Sequence, residues 1–387
     1  MSPARLSILH ILTHNRVNAG GAFQSLLLCR ELARRGHQVT LAFSERDEGT
    51  KPEVQRQVES IGCRYVGFRL RKLASVPAIR SLLAEGFDVV HLHRELALQR
   101  FLQAAPLSQQ VGAVANVGTS KIPSPARARR LRSRRIDRIV VVAEAIKRLL
   151  VNTARIDPAR IDVIYGAFDE QRFQPDVPPY DRSAEFGLPG HGKLIGMIAN
   201  YDPKKGHAVL AEAARRILDR RDDCWFVCAG KGERSHLRGL ARAARVPEDR
   251  LIHLGFHEDI PRLLRTLDVS VCASTKGEGL TGSIRESMAM GTPVISSALA
   301  GNVEIIRQRE TGLLVPPGDA ESLAGAVLET LDDPAAARLR ADRGRDEVRE
   351  RFTSVRRTDQ MERLYAEVAL YRRVREMSTD AILFPEF

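Results

Sequence analysis

The residues best suited to chemistry in this 387-residue chain sit in one segment, 275–304, TKGEGLTGSIRESMAMGTPVISSALAGNVE. An apolar strand, Asp268-Val-Ser-Val-Cys272, runs into a loop carrying Gly277, Gly279 and Gly282, and the loop opens a helix bearing Glu286, Ser287 and Ala289. Glycines let a backbone approach a ligand closely, and the first turn of a helix leaves N–H groups unpaired. An oxyanion or a hydroxyl-rich ring fits such a place. Glu278 in the loop and Glu286 about one turn into the helix add two carboxylates eight residues apart. A carboxylate on that face can accept two vicinal hydroxyls, as an acidic residue does for ribose in dinucleotide sites. The plainer alternative is a glycine turn with two exposed glutamates.

Such a loop needs a strand-to-helix framework, and the periodicity supplies one. Leu6–Leu12 reads as a buried strand, followed by a glycine-containing turn, a helix from about 22 to 35 stopped by Gly36, and a second strand at 38–43. That βαβ unit commits the strands to a parallel sheet. Further strands fall at 64–68, 88–93, 111–117 and 138–143, and helices near 51–61, 76–85 and 95–105. Residues 174–192, QPDVPPYDRSAEFGLPGHG, concentrate Pro and Gly and mark a linker. Strands at 193–199, 224–229, 251–254, 268–272 and 293–296 then alternate with helices, and 345–375 is helical and charged. Two doubly wound α/β domains are expected, with ligands held at the carboxyl ends of their strands, in a cleft between the two.

Composition agrees. Hydrophobic residues make up 43% and charged residues 28%, the balance of a globular chain. No run approaches the ~18 apolar residues of a membrane span. Met1–His10 does not read as a signal peptide, because its apolar run is short and interrupted. The five cysteines, Cys29, Cys63, Cys224, Cys228 and Cys272, imply no disulfide framework, which points to a reduced, cytosolic protein. Cys224 and Cys228 bracket a strand without a nearby histidine, so no metal site is expected there.

The wording around the glutamates resembles glycosyltransferase family 4. It is carried by Gly255-Phe-His-Glu-Asp-Ile-Pro-Arg-Leu-Leu264, Glu278-Gly-Leu with Glu286, Ala289-Met-Gly-Thr-Pro-Val294, Gly301-Asn-Val-Glu304-Ile-Ile306 and Thr311-Gly-Leu-Leu-Val-Pro-Pro-Gly-Asp319. Asn18-Ala-Gly-Gly-Ala22, Glu31–Val39, Val142-Ala-Glu144, Val163–Asp169 with Arg172-Phe173, and Asp202-Pro-Lys-Lys-Gly206 extend the likeness over nearly the whole chain.

The resemblance implies a retaining, metal-independent enzyme of the GT-B fold that uses a nucleotide diphosphate sugar, UDP-linked by preference, and no cofactor. It implies an acceptor-binding Rossmann-like domain at 1–173, the linker at 174–192, a donor-binding Rossmann-like domain at 193–365, and a helix and tail at 366–387 returning to the first domain. Glu286 would bind the donor ribose. Glu278, with the N–H groups of Gly279, Leu280 and Thr281, would hold the transferred hexose. Lys205 would neutralise the diphosphate, whose departure builds negative charge, and Gly20 and Gly21 would face it from the first domain. The alternative for Lys204-Lys205 is an ordinary surface pair.

The chain departs from the family pattern twice. Asn200 stands where the family usually has an arginine, leaving Lys204 as a nearby substitute. The family's histidine after the strand at 111–117 is missing from Ala115-Asn-Val-Gly-Thr-Ser120. His93, Asn116, Thr119 and Ser120 are the cleft candidates there, His93 being the one assigned a catalytic part. The expected chemistry is front-face attack with the leaving phosphate as base, and no protein general base is assigned.

Charge is uneven. Residues 1–172 hold 28 Lys and Arg against 15 Asp and Glu, whereas 173–387 hold 32 against 33. The excess condenses in 121–138, KIPSPARARRLRSRRIDR, where Arg127, Arg129, Arg130, Arg132, Arg134 and Arg135 form an expected helical patch near 126–138. It suits an anionic glycan or glycolipid acceptor, or peripheral contact with an anionic membrane on the cytoplasmic face of the inner membrane, as in lipopolysaccharide or other cell-envelope glycan synthesis. The bland alternative is a solvated Arg-rich face. A soluble-acceptor transferase and a sugar-nucleotide epimerase remain alternatives on the same fold. A nucleic-acid partner is not expected, since the segment lacks interleaved aromatics.

Overall fold

The computed structural model describes residues 5–13, 20–45, 52–106, 110–189 and 191–383, with side chains through Val374. Two compact units result. The first comprises 1–166 and 354–387, and the second comprises 167–353.

The first unit is a seven-stranded parallel sheet: β1 (Ser7–Leu12), β2 (Gln38–Ser44), β3 (Arg64–Phe68), β4 (Val89–His93), β5 (Gly112–Val117), β6 (Arg138–Val141) and β7 (Ile161–Val163), in the order β3-β2-β1-β4-β5-β6-β7. The second is a six-stranded parallel sheet: β8 (Lys193–Ile198), β9 (Cys224–Ala229), β10 (Leu251–Gly255), β11 (Val269–Cys272), β12 (Val294–Ser297) and β13 (Leu313–Val315), ordered β10-β9-β8-β11-β12-β13. The strands are nearly continuous apolar runs because helices cover both faces of each sheet. Strand order reverses between β1 and β4 in the first unit and between β8 and β11 in the second, so each unit has a switch point at which ligands collect.

Three expectations need correction. The segment 174–192 is no free linker: its described residues pack with the second unit. Arg182 donates to the carbonyls of Gly192 (2.7 Å) and Thr266 (2.6 Å), and the Tyr180 N–H donates to Thr266 Oγ1 at 2.8 Å. The chain returns to the first unit at Ser354 rather than 366, because the buried stripe Met361, Leu364, Tyr365, Val368 and Ala369 repeats at helical spacing and has its partners there. The basic helix spans only Pro125–Leu131, capped by Ser124. Buried Ile136 and the Asp137 carboxylate, which accepts the Ala113 N–H at 2.7 Å, draw the chain out into β6. The edge strands β7 and β13, three residues each, carry too little pattern to be read from the sequence.

The last helix, Ser354–Leu383, seals a polar cluster inside the first unit. His10 and His91 are register partners on β1 and β4, and His93 follows on the same face. His10 Nδ1 meets His93 Nε2 at 3.0 Å, and His91 Nδ1 meets the Tyr365 hydroxyl at 2.5 Å. Burial, reinforced by the Arg357 charge, lowers His10 to about 3 and drives His91 well down, so both imidazoles are neutral. Tyr365→Phe removes the partner of a buried ring nitrogen, a loss of about 1–3 kcal/mol. Chemical denaturation of the variant should show a lower midpoint at unchanged slope.

Candidate functional site

In the second unit the switch point brings together the segments that leave β8 and β11. After β8, the Asp202 carboxylate accepts the Lys204 N–H at 3.1 Å and shapes the tight turn Pro203–Lys205. Gly206 closes the turn at φ +82, and a Cβ there would lie 1.8 Å from the Ala273 carbonyl oxygen, so only glycine fits. The Thr275 N–H donates to Lys204 O at 2.7 Å and fastens the turn to the loop after β11.

This fastening puts Lys205 Nζ 2.6 Å from Glu278 Oε1. The Ser274 hydroxyl donates to the same oxygen at 2.7 Å, and Glu278 is buried. Beyond it, the N–H groups of Gly279, Leu280 and Thr281 have no hydrogen-bond partner among the described residues. Thr281 precedes the helix Gly282–Ala289 without a side-chain cap, so the free amides of the first turn continue the row. A cation, a buried carboxylate and a run of amides without partners among the described residues thus adjoin one another. Such a surface stabilises an oxyanion beside a hydroxyl-bearing ring.

Glu286 lies one turn into that helix and folds back over its start, with Oε1 3.5 Å from where a Gly282 Cβ would stand. Burial raises its carboxyl, against the opposing charges of Arg285 and Arg172. The predicted residues Lys205, Glu278, Gly279, Leu280, Thr281 and Glu286 therefore all lie along the Lys205–Glu278 contact and the helix start that continues it.

Asn200 serves differently from a cation. Its Oδ1 accepts the Lys231 N–H at 2.9 Å and orders the turn after β9. There Gly230, at φ +158, would place a Cβ 2.0 Å from Ala199 O. Exposed Lys231, whose Nζ lies 4.8 Å from the Phe256 ring centroid, is a cation at this edge that the sequence did not single out. Lys204 is engaged with Asp202 at 3.3 Å. Ser274 and Asn302 were also missed: a lone Ser and Asn carry no motif, and their roles appear only when loops distant in sequence close on each other.

In the first unit, Gly20 and Gly21 are exposed at the start of the helix Gly20–Arg34, and Asn18 lies outside the described residues. His93 is 5% exposed, bonded to His10 and 3.3 Å from Ser25 Oγ. It belongs to the core cluster, a poor position for touching a substrate. His10, His91 and His93 are the group among the described residues whose potential metal-ligating atoms converge, within 4.8 Å of one another, but the Arg357 charge felt by His10 and His91 opposes a cation. The basic patch is divided. Arg127 and Arg130 pair with Glu95, and Arg135 donates to Ala105 O at 2.8 Å. Arg129, Arg132 and Arg134 are exposed.

Comparison with known proteins agrees across both units. Residues 19–172 match the family Glycosyltransferase Family 4, and residues 192–333 match Glycosyl transferases group 1. The chain is 27% identical over 237 residues to the UDP-Gal:alpha-D-GlcNAc-diphosphoundecaprenol alpha-1,3-galactosyltransferase of Escherichia coli, covering 60% of this chain and 61% of that one. It is 33% identical over 189 residues to the 2-deoxystreptamine glucosyltransferase of Streptomyces kanamyceticus, covering 47% and 49% respectively. It thus spans about half to three-fifths of these curated relatives. The crystal structure of Anabaena Alr3699/HepE in complex with UDP-glucose superimposes with TM-score 0.80 at 18% identity over 94% of this chain and all of that one. The two Rossmann-like units are those of the GT-B fold.

The raised carboxyl of Glu286 sets a pH dependence. Protonation removes an acceptor for vicinal hydroxyls, so affinity for a hydroxyl-bearing ligand at this carboxylate, with UDP-glucose as the probe, should hold at neutral pH. It should fall on acidification, starting above the range of an ordinary glutamate. Glu286→Gln should bind about tenfold or more weakly at neutral pH, the scale of a hydrogen bond to a charged group, and lose this acidic limb. Calorimetric titrations across pH read both; a wild-type affinity flat into the ordinary carboxylate range contradicts the assignment.

Proposed function

The chain belongs to the glycosyltransferases of family 4 and group 1, and from that premise we propose that it is a retaining hexosyltransferase using a UDP-sugar and an anionic or lipid-linked glycan acceptor. The observation that carries the reading is the Lys205–Glu278 pair abutting three unpaired amides, with Glu286 one helical turn away. UDP-glucose in the Anabaena neighbour and the diphosphoundecaprenol-linked acceptor named for the Escherichia coli relative support the substrate classes.

In this mechanism Glu286 accepts the ribose hydroxyls, and Glu278 with the amides of 279–281 holds the hexose. Lys205 and the helix-start amides stabilise the charge that builds on the departing diphosphate. The acceptor hydroxyl attacks C1 from the face the phosphate leaves. The new C1–O bond forms as the old one breaks, and the acceptor proton passes to a phosphate oxygen. The protein then contributes position and charge, and its residues need no metal for that work. Glu286→Ala should abolish detectable transfer from UDP-sugars. A panel of them should raise thermal stability, by about 2.7 kcal/mol at a hundredfold over Kd. Retained transfer by Glu286→Ala would remove the donor-site assignment.

The acceptor side rests on the exposed Arg129, Arg132 and Arg134, in a half of the chain with a large basic excess. Among the described residues, no helix is long and apolar enough to cross a membrane. The proposed place of action is the cytoplasmic face of the inner membrane, in cell-envelope glycan synthesis, with the protein held there by charge. Sedimentation with anionic vesicles should fall steeply as salt rises, and the Arg129→Ala/Arg132→Ala/Arg134→Ala variant should lose most binding. Salt-independent binding would refute electrostatic docking.

A further inference from the structure

Each of the four residues 278–281 is tied down. Glu278 is held by Ser274 and Lys205. The Gly279 carbonyl accepts the Gly301 N–H at 2.9 Å, and the Leu280 carbonyl accepts Arg285 NH1 at 3.3 Å. The Thr281 hydroxyl donates to Asn302 Oδ1 at 2.7 Å. Every tether uses a carbonyl or a side chain, and the N–H groups of 279–281 have no partner among the described residues. Two of the five tethers come from one short segment, Gly301-Asn302, which follows β12 and carries no predicted contact with substrate.

We infer that Asn302 is a positioning residue that fixes the sugar-holding amides through Thr281, a role resting on the donor-site reading above. Asn302 is 0% exposed, and its amide is fully used. Nδ2 donates to Ser296 Oγ at 3.1 Å and Ser297 O at 3.3 Å. A carbonyl can only accept, so the Ser297 contact fixes the NH2 on that side and leaves Oδ1 toward Thr281. The preceding Ala300 sits at φ +34, uncommon for a residue with a Cβ, which the surrounding bonds must hold in place. The chain is bent at that point, and the bend delivers both Gly301 and Asn302 to the loop. Backbone donors stabilise a developing charge only when they are fixed before it forms. Neither Thr281 nor Gly279 can fix itself, because their outward N–H groups must stay unpaired.

The clamp acts on 278–281, whereas Glu286 and the ribose lie further along the helix. Loosening it should therefore cost affinity for the sugar more than for the nucleotide. The test compares binding of UDP and of UDP-glucose, with kcat and KM, for Asn302→Ala, Thr281→Val, their double variant and Thr281→Ser. Thr281→Val keeps the volume and the backbone amide, so it reports even where Asn302→Ala folds poorly. Expected are a rise of about tenfold in the UDP-glucose Kd, UDP affinity within twofold, a double variant no worse than the poorer single one, and near-native behaviour of Thr281→Ser. Unchanged UDP-glucose binding and turnover, or a parallel loss of UDP affinity, overturns the positioning role even where Glu286→Ala has abolished transfer. A wild-type protein that binds neither molecule overturns the donor-site reading, and this inference with it.

Discussion

The Lys205–Glu278 ion pair is the contact on which the second unit's site depends. A buried carboxylate is costly unless it is neutralised and hydrogen-bonded. Lys205 and Ser274 meet that need at a single oxygen, at 2.6 and 2.7 Å. The pair can form only because the turn after β8 presses against the loop after β11, with Gly206 against Ala273 and Thr275 bonded to Lys204. Removing the lysine would strand a buried negative charge, on the proposed reading where the diphosphate binds. Removing the glutamate would release the lysine and one end of the amide loop together. On the proposed reading the pair also tempers the site: Lys205 would meet an incoming phosphate already oriented, and Glu278 would retain an oxygen for a sugar hydroxyl.

Most of this site was legible because its parts lie on loops with strong local signals. Glycine spacing, a strand before and a helix after marked 277–286, whereas Lys205 was singled out by the likeness of Asp202-Pro-Lys-Lys-Gly206 to the family pattern. What stayed hidden depends on closure between distant segments. Asn302 reaches Thr281 across twenty-one positions, and Tyr365 reaches His91 across two hundred and seventy-four. No local pattern reports either contact. Boundaries failed for a related reason. Pro and Gly in 174–192 signal irregular backbone, which can be free or firmly packed, and Arg182 and Tyr180 decide the matter through bonds to Thr266.

The basic excess was legible in amount but not in availability. Glu95 engages Arg127 and Arg130, the Ala105 carbonyl takes Arg135, and Arg160 donates to the carbonyls of Ser133 and Ile136. A guanidinium bonded to a carbonyl keeps its charge but loses reach, so these arginines fix the turn between β5 and β6. What remains for a partner is a narrower face formed by Arg129, Arg132 and Arg134. Three cations suit salt-sensitive attraction to an anionic surface better than deep recognition of one phosphate.

The substitution at Asn200 is best understood through its neighbour. An arginine there would bring charge directly. Asn200 instead accepts the Lys231 amide and holds the turn after β9, where exposed Lys231 keeps its own cation. Charge and positioning are divided between two residues, one neutral and bonded, the other charged and solvated. An ammonium is more strongly hydrated than a guanidinium and regains that hydration on leaving a phosphate, which on the proposed reading would favour release of the nucleotide after transfer. On the proposed reading Lys205, paired with Glu278, would supply the fixed part of the charge stabilisation, and Lys231 an adjustable part. Such a division would let the site keep a strong field at the breaking bond without holding its product too tightly.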